Sequence, residues 1–328
     1  MPIKPERLTY GDTVGLISPA SAPPDPKAID RSVAVLERLG FKLKLGANAR
    51  KRWGFLAGSD RDRASDLMNM FTDRKVKAIF CVRGGYGSAR LLPLLDFKTI
   101  RAHPKIFVGY SDITSLHCAL LVKSNLASFH GPMLNSELIE ADCPEFTVQH
   151  LLRSLMDTQP IGALFRCASD KSKFKVCPPK LPAPTVFRRG KATGQLLGGN
   201  LSVLCTTLGT RWQPSFKKKI LFLEDLAEVP YRLDRMLTHL LNAGVLQQVA
   251  GVCFGINHNC HDPKAKKMKE YRQTMEDVMK ERLLPLRVPL VAGLPFGHIL
   301  TNATVPIGVR GTLDGNRGDL VIEEPAVT

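Results

Sequence analysis

Short apolar runs alternate along the chain with stretches whose apolar positions recur every three or four residues, and that alternation predicts strands and helices in turn. TVGLISP (Thr13 to Pro19) reads as a buried strand, followed by a helix that Asp25 can cap and that runs to Leu39 before Gly40 stops it. Ser59 opens a second helix with Ala64, Leu67, Met68 and Phe71 on one face, while AIFCV (Ala78 to Val82) and IFVG (Ile106 to Gly109) are further buried strands. Buried strands separated by helices are βαβ units, so residues 1–157 are expected to fold as a doubly wound parallel sheet. Between 158 and 190 the pattern dissolves around Pro160, Pro178, Pro179, Pro182 and Pro184, which predicts a linker. Residues 191–328 resume as a smaller mixed α/β domain. It has the strand KILFLED (Lys219 to Asp225), a helix ending at Gly244, the strand GVCF (Gly251 to Phe254) and a hairpin signal around Asp314 and Gly315.

At 328 residues the chain has room for two domains sharing a cleft, and 44% hydrophobic with 23% charged residues excludes disorder and collagen-like repetition. No stretch reaches the roughly 18 apolar residues of a membrane helix, and the N-terminus lacks an uninterrupted apolar run, so a soluble, cytoplasmic protein without a membrane partner is expected. The eight cysteines form no CxxC pair and read as buried reduced thiols. A net charge of +16 attracts anions. Its local sources, Lys171 to Lys180, Arg188 to Lys191, Lys217 to Lys219 and Lys264 to Lys269, lack aromatic interleaving and match no helix-turn-helix or zinc-finger pattern, so no nucleic-acid partner is expected.

Three strings that follow apolar strands can carry chemistry: RGGYGSAR (Arg83 to Arg90), GYSD (Gly109 to Asp112) and LEDLAEVPYRLDR (Leu223 to Arg235). Active sites of open α/β sheets lie beyond the C-terminal strand ends, so the first two can face one crevice. In GYSD a strand breaks at Gly109 and an amphipathic helix begins at once, which lifts the Ser111 hydroxyl to a helix N-terminus as a nucleophile elbow does, although Ile113 replaces the elbow's final glycine. The plainer alternative is that Ser111 only caps the helix. Gly84, Gly85 and Gly87 permit close approach of an oxyanion to main-chain N–H groups, or merely connect strand to helix. A nucleophile needs a base. His130 and His298 each follow a strand-like run, unlike His117, His150 and His239 within helical patterns, and both remain open. Glu224 ends a very apolar strand and can orient the imidazole, or pair with Arg232 or Arg235; Asp225 and Glu228 are near alternatives. His258, Cys260, His261 and Asp262 are crowded into one turn without a second cluster, which argues against a metal.

Taken together, GDTVGLISPAS, RGGYGSARLLPLLD, VGYSDIT, FHGPM, GQLLGGNLSVL, LEDLAEVPYRLDRML and GLPFGH resemble, in order, the LD-carboxypeptidase family of serine peptidases, which includes murein tetrapeptide carboxypeptidases and microcin-immunity peptidases. The resemblance implies a Ser-Glu-His triad of Ser111, Glu224 and His298, an oxyanion hole of Gly85 and Asp112 N–H groups, and Asn200 at the substrate pocket. It also implies a Rossmann-like N-terminal domain, a homodimer, a murein peptide substrate and no metal or organic cofactor. Arg83 or Arg232 is expected to hold the substrate's terminal carboxylate. One departure is Asn257, where the family often has an aromatic residue.

Overall fold

The computed structural model describes residues 1–166, 180–263 and 273–328. Cys167, Cys177, Pro178, Pro179, the basic stretch from Lys171 up to Pro179 and the stretch Lys264 to Lys269 lie outside the described residues. The first half runs β1 (Thr13–Ile17), α1 (Ala28–Arg38), β2 (Lys42–Leu45), α2 (Asp60–Thr72), β3 (Val76–Cys81), α3 (Phe97–Ala102), β4 (Ile106–Gly109), α4 (Thr114–Ala119), β5 (Ser128–His130) and α5 (Glu145–Met156). There follow β6 (Gly162–Ala163), β7 (Thr185–Arg188), β8 (Lys191–Asn200), α6 (Leu201–Cys205), β9 (Ile220–Glu224), α7 (Pro230–Asn242), β10 (Gly251–Gly255) and α8 (Met275–Leu283). The chain closes with β11 (Leu290–Leu294), β12 (Val305–Ile307), β13 (Arg310–Asp314) and β14 (Asp319–Ile322).

These elements build a mixed α/β protein with two sheet-containing domains. The first sheet has the order β12-β5-β4-β3-β1-β2; β1 to β5 are parallel and β12 is an antiparallel edge. The second has the order β6-β14-β13-β8-β9-β10-β11-β7, with β8 to β11 parallel at its centre. The hairpin at Asp314 and Gly315 is β13 and β14, paired Gly311 to Ile322.

Local chemistry explains most boundaries. Ser59 and Asp62 form a reciprocal capping box at the start of α2, satisfying two donors that the helix end leaves free. Asp25 sits ahead of α1 and accepts Lys27 N–H at 2.9 Å. The segment 158–190, expected as a linker, supplies two strands: β6 pairs with β14 and β7 with β11. Both are short edge strands, a setting that tolerates flanking prolines, so the composition concealed them. Residues 191–328 in turn give β12 to the first sheet, with Val305 opposite His130. The hydrophobic core is continuous across that seam. Phe222 of β9 meets Phe296, just after β11, edge to face at 5.7 Å, and both are fully buried with Phe129 of β5. Each such ring removed from water contributes roughly 1.5–3 kcal/mol, so the ends of β9 and β11 are held firmly against β5.

Candidate active site

Ser111 leaves β4 through Tyr110, whose backbone is extended, and itself has φ 62°, a left-handed conformation that a side chain tolerates at a cost of about 1–3 kcal/mol. Gly109 makes the turn possible, because a Cβ there would stand 3.0 Å from Ile113 Cγ2 and 3.2 Å from Cys81 Cβ. The elbow thus tolerates Ile113 where a second glycine is usual: the side chain fills the space Gly109 leaves. Residues 111–113 form one 3-10 turn before α4. That helix is buried on every face instead of amphipathic, since it packs between the first sheet and α6 with β8. His117 within it is spent on structure, with Nε2 donating to Gly109 O and Nδ1 accepting from Ser128 Oγ, each at 2.8 Å.

His298, in the turn after β11, reaches Ser111 from the other sheet: Ser111 Oγ lies 3.1 Å from its Nε2, and its Nδ1 donates to Glu224 Oε2 at 2.6 Å. Because a carboxylate only accepts, this bond places the proton on Nδ1 and leaves the Nε2 lone pair facing the serine hydroxyl. Glu224 is fully buried at the end of β9 and pairs with neither Arg232 nor Arg235. Burial is the largest influence on His298 and pulls its pKa down, but the hydrogen bond and charge of Glu224, with the charges of Glu137 and Asp225, outweigh it and raise the pKa. Gly297 accommodates the arrangement, with φ 115° and a virtual Cβ only 3.1 Å from Glu224 Cβ.

The glycine-rich loop closes over the serine. A Cβ on Gly84 would stand 3.0 Å from Ser111 Cβ and 3.3 Å from Asp112 N, and Gly85 has φ 103°. Gly85 N–H donates to no group among the described residues. The loop is pinned from behind by Arg63, 1% exposed, which donates to Pro19 O at 2.5 Å and Gly87 O at 2.9 Å and pairs with Asp60. Asp112 turns its carboxylate away, accepting Ser88 N–H at 2.8 Å. Burial, as the largest influence, raises its pKa.

A cavity of about 440 Å³ opens onto Ser111 and His298, walled by Arg83, Gly84, Gly85, Tyr110, Met133 and Asn135 among others. Arg83 is half-buried, forms no ion pair among the described residues and donates only a long bond to Ala22 O, 3.4 Å. Asn200 and Arg232 are not in that wall. Asn200 caps α6 through Val203 N–H and donates to Asp225 Oδ1, while Arg232 lies on the surface beside Glu228 at 3.6 Å. Asp225 is held by Asn200, Ser202 and Leu226 N–H and does not meet the imidazole ring. His130 is buried next to Tyr110 and contacts neither the serine nor an acid. His258, Cys260, His261 and Asp262 do not converge as a metal-binding group among the described residues. Nothing in the sequence pattern marks Asn135, Glu137 or Asn302. They stand in irregular loops, where no periodicity singles out a polar residue.

Residues 14–131 match the LD-carboxypeptidase N-terminal domain and residues 193–313 the LD-carboxypeptidase C-terminal domain. A protein of Bacillus subtilis (strain 168) named "Probable murein peptide carboxypeptidase" is 40% identical over 321 residues, 98% of this chain and 94% of that protein. The chain belongs to the LD-carboxypeptidase family. Two solved LD-carboxypeptidase relatives share its architecture. The muramoyltetrapeptide carboxypeptidase from Oxalobacter formigenes is 29% identical with a TM-score of 0.79, covering 95% of this chain and 99% of that one. The MccF-like protein from Bacillus anthracis str. Ames is also 29% identical, with a TM-score of 0.85 over 98% and 99%. At family level the chain is therefore a hydrolase of the LD-carboxypeptidase and MccF type, as the ordered strings in the sequence imply.

Proposed function

We propose that this LD-carboxypeptidase is a serine hydrolase that cleaves the L-D peptide bond of murein tetrapeptides and releases the terminal D-alanine. The observation that carries this reading is His298 bridging Ser111 Oγ at 3.1 Å and buried Glu224 at 2.6 Å. Ser111 Oγ attacks the scissile carbonyl carbon as its proton passes to His298 Nε2, and Glu224 steadies the imidazolium. The oxyanion rests on the N–H groups of Gly85 and Asp112. Collapse breaks the C–N bond, His298 returns the proton to the leaving amine, and water then attacks the acyl-enzyme by the same route in reverse. Arg83, which forms no ion pair among the described residues, receives the D-alanine carboxylate in the cavity wall, and Asn135 beside it offers an amide to the peptide.

The strand order β2-β1-β3-β4-β5 is that of flavodoxin-like sheets and supports a doubly wound N-terminal domain of residues 1–157, with residues 191–328 as the second domain. A cytoplasmic homodimer acting in peptidoglycan recycling fits the same reading. No helix among the described residues is long and apolar enough to cross a membrane. The microcin-type alternative, cleavage of a peptidyl or aminoacyl nucleotide by the same residues, has the likeness to the MccF-like protein as its support, 29% identity with a TM-score of 0.85.

Incubating wild-type and Ser111→Ala protein with a murein tetrapeptide, and separately with an aminoacyl nucleotide, decides between them by mass spectrometry. D-alanine release by wild type alone is the expected result. Cleavage restricted to the nucleotide transfers the chain to the second reading, and release by Ser111→Ala contradicts the nucleophile assignment.

A further inference from the structure

Beneath the site lies a second buried carboxylate that the reaction as described does not use. Glu137, 3% exposed, accepts Tyr110 OH at 2.6 Å and Asn302 Nδ2 at 3.3 Å on Oε1. Its Oε2 accepts Ser136 Oγ at 2.6 Å and Met133 N–H at 3.1 Å. These four partners belong to three parts of the site. Tyr110 is the residue before Ser111, and its ring meets the His298 ring edge-on at 4.8 Å. Asn302 Oδ1 accepts the N–H of Gly297, the residue before His298, at 3.2 Å. Met133 and Ser136 line the cavity. One side chain therefore ties the nucleophile's strand end, the histidine's turn and the cavity wall together across the two sheets.

We propose that Glu137 is a positioning residue of the reaction, fixing Tyr110 and, through Asn302, the turn of His298, so that serine and imidazole keep their contact. This rests on the reading of Ser111 and His298 as nucleophile and base. Four donors on two oxygens fit the ionised form, since the N–H groups of Met133 and Asn302 offer protons and cannot accept one. Burial works against it and raises the Glu137 pKa, with the Ser136 and Tyr110 hydrogen bonds opposing that rise. The charge also acts on His298, where it favours the imidazolium. The other groups facing His298 are Glu224 and Asp225 from the end of β9, Tyr110 and Ser111 after β4, and His130 on β5.

The test compares wild-type protein with Glu137→Gln and Tyr110→Phe. It follows the His298 titration by NMR of isotope-labelled histidine without substrate, and D-alanine release across pH. Glu137→Gln removes a negative charge, so the His298 midpoint is expected to fall by about half a pH unit or more, and the acid limb of kcat/KM to move down with it. Displacing the reacting groups lowers kcat by about 10- to 100-fold, with KM within about threefold. Tyr110→Phe keeps the charge and loses one tie. It is expected to lower kcat about three- to tenfold with the acid limb in place. An unmoved His298 midpoint in Glu137→Gln overturns the proposal whatever happens to turnover. Should that variant not fold, wild-type kcat in Tyr110→Phe overturns it instead. The NMR titration needs no turnover, so turnover by Ser111→Ala would remove the nucleophile assignment without deciding what Glu137 does.

Discussion

His298 and His130 flank the same ring, their centroids 4.8 and 5.7 Å from that of Tyr110; His130 is the last residue of β5, and His298 lies in the turn that follows β11. Their surroundings differ in kind. His298 stands at a cavity wall, 15% exposed at the side chain, with an acid on one nitrogen and a hydroxyl on the other. His130 is fully buried edge-to-face against Phe222 and Phe296, and neither nitrogen has a partner among the described residues. Burial, as the larger influence, drives the His130 pKa well below its usual value, whereas Glu224 lifts that of His298. On the proposed reading of His298 as the base, what separates it from a core residue is the buried acid and the opening to solvent, not the place along a strand.

The largest expected effect is loss of the proposed base or nucleophile. His298→Ala and Ser111→Ala are each expected to reduce kcat by about 10⁶-fold, and the double variant by little more, because the two act as a unit. Additive losses, measured by D-alanine release, would mean separate roles. Glu224→Gln keeps the shape but no longer holds the proton on Nδ1, so a loss of about 10⁴-fold is expected. A fall of less than tenfold would put the buried acid outside the mechanism.

A smaller effect sharpens the comparison through stability. Burial sets the pKa of His117 at about 4 and that of His150 at about 3, both below the ordinary 6.5. As pH drops below the unfolded value, the unfolded chain takes up protons that these folded residues refuse. Stability should therefore fall by about 1.4 kcal/mol per pH unit for each, down to its folded pKa. His298, whose folded pKa is raised, contributes in the opposite sense: its stabilisation is full below the unfolded pKa and is lost as pH rises through the folded one. Urea midpoints at about pH 7 and about pH 5 check the balance, and a midpoint that rises on acidification would contradict it. The smallest expected effect is that of His130→Phe. It should leave kcat within about threefold, since the ring touches no reacting atom, and should weaken the acid dependence by one buried imidazole. Loss of turnover on the scale of His298→Ala would erase the distinction.

The sequence made one side of this contrast readable. Ser111 after β4 and Glu224 ending β9 are polar residues at the ends of fully apolar strands, where burial makes a polar side chain conspicuous. The choice between His130 and His298 was not readable from pattern, because it depends on which sheet faces which. Family resemblance supplied it. Asn200 and Arg232 sit beside informative strings but turn to α6 and to the surface, and side-chain direction has no signature in one sequence. Glu137 and Asn302 meet across 165 positions, so neither marks the other. The edge strands β6 and β7 were concealed for a related reason: two to four residues carry too little alternation to register among prolines.

In the proposed mechanism Ser111 is the activated nucleophile and His298 activates it. Labelling with a fluorophosphonate, followed by peptide mapping, tests this most directly. One adduct is expected, on Ser111, formed by wild-type protein and lost in His298→Ala; an adduct on another residue, or equal labelling in the two proteins, would rule that assignment out.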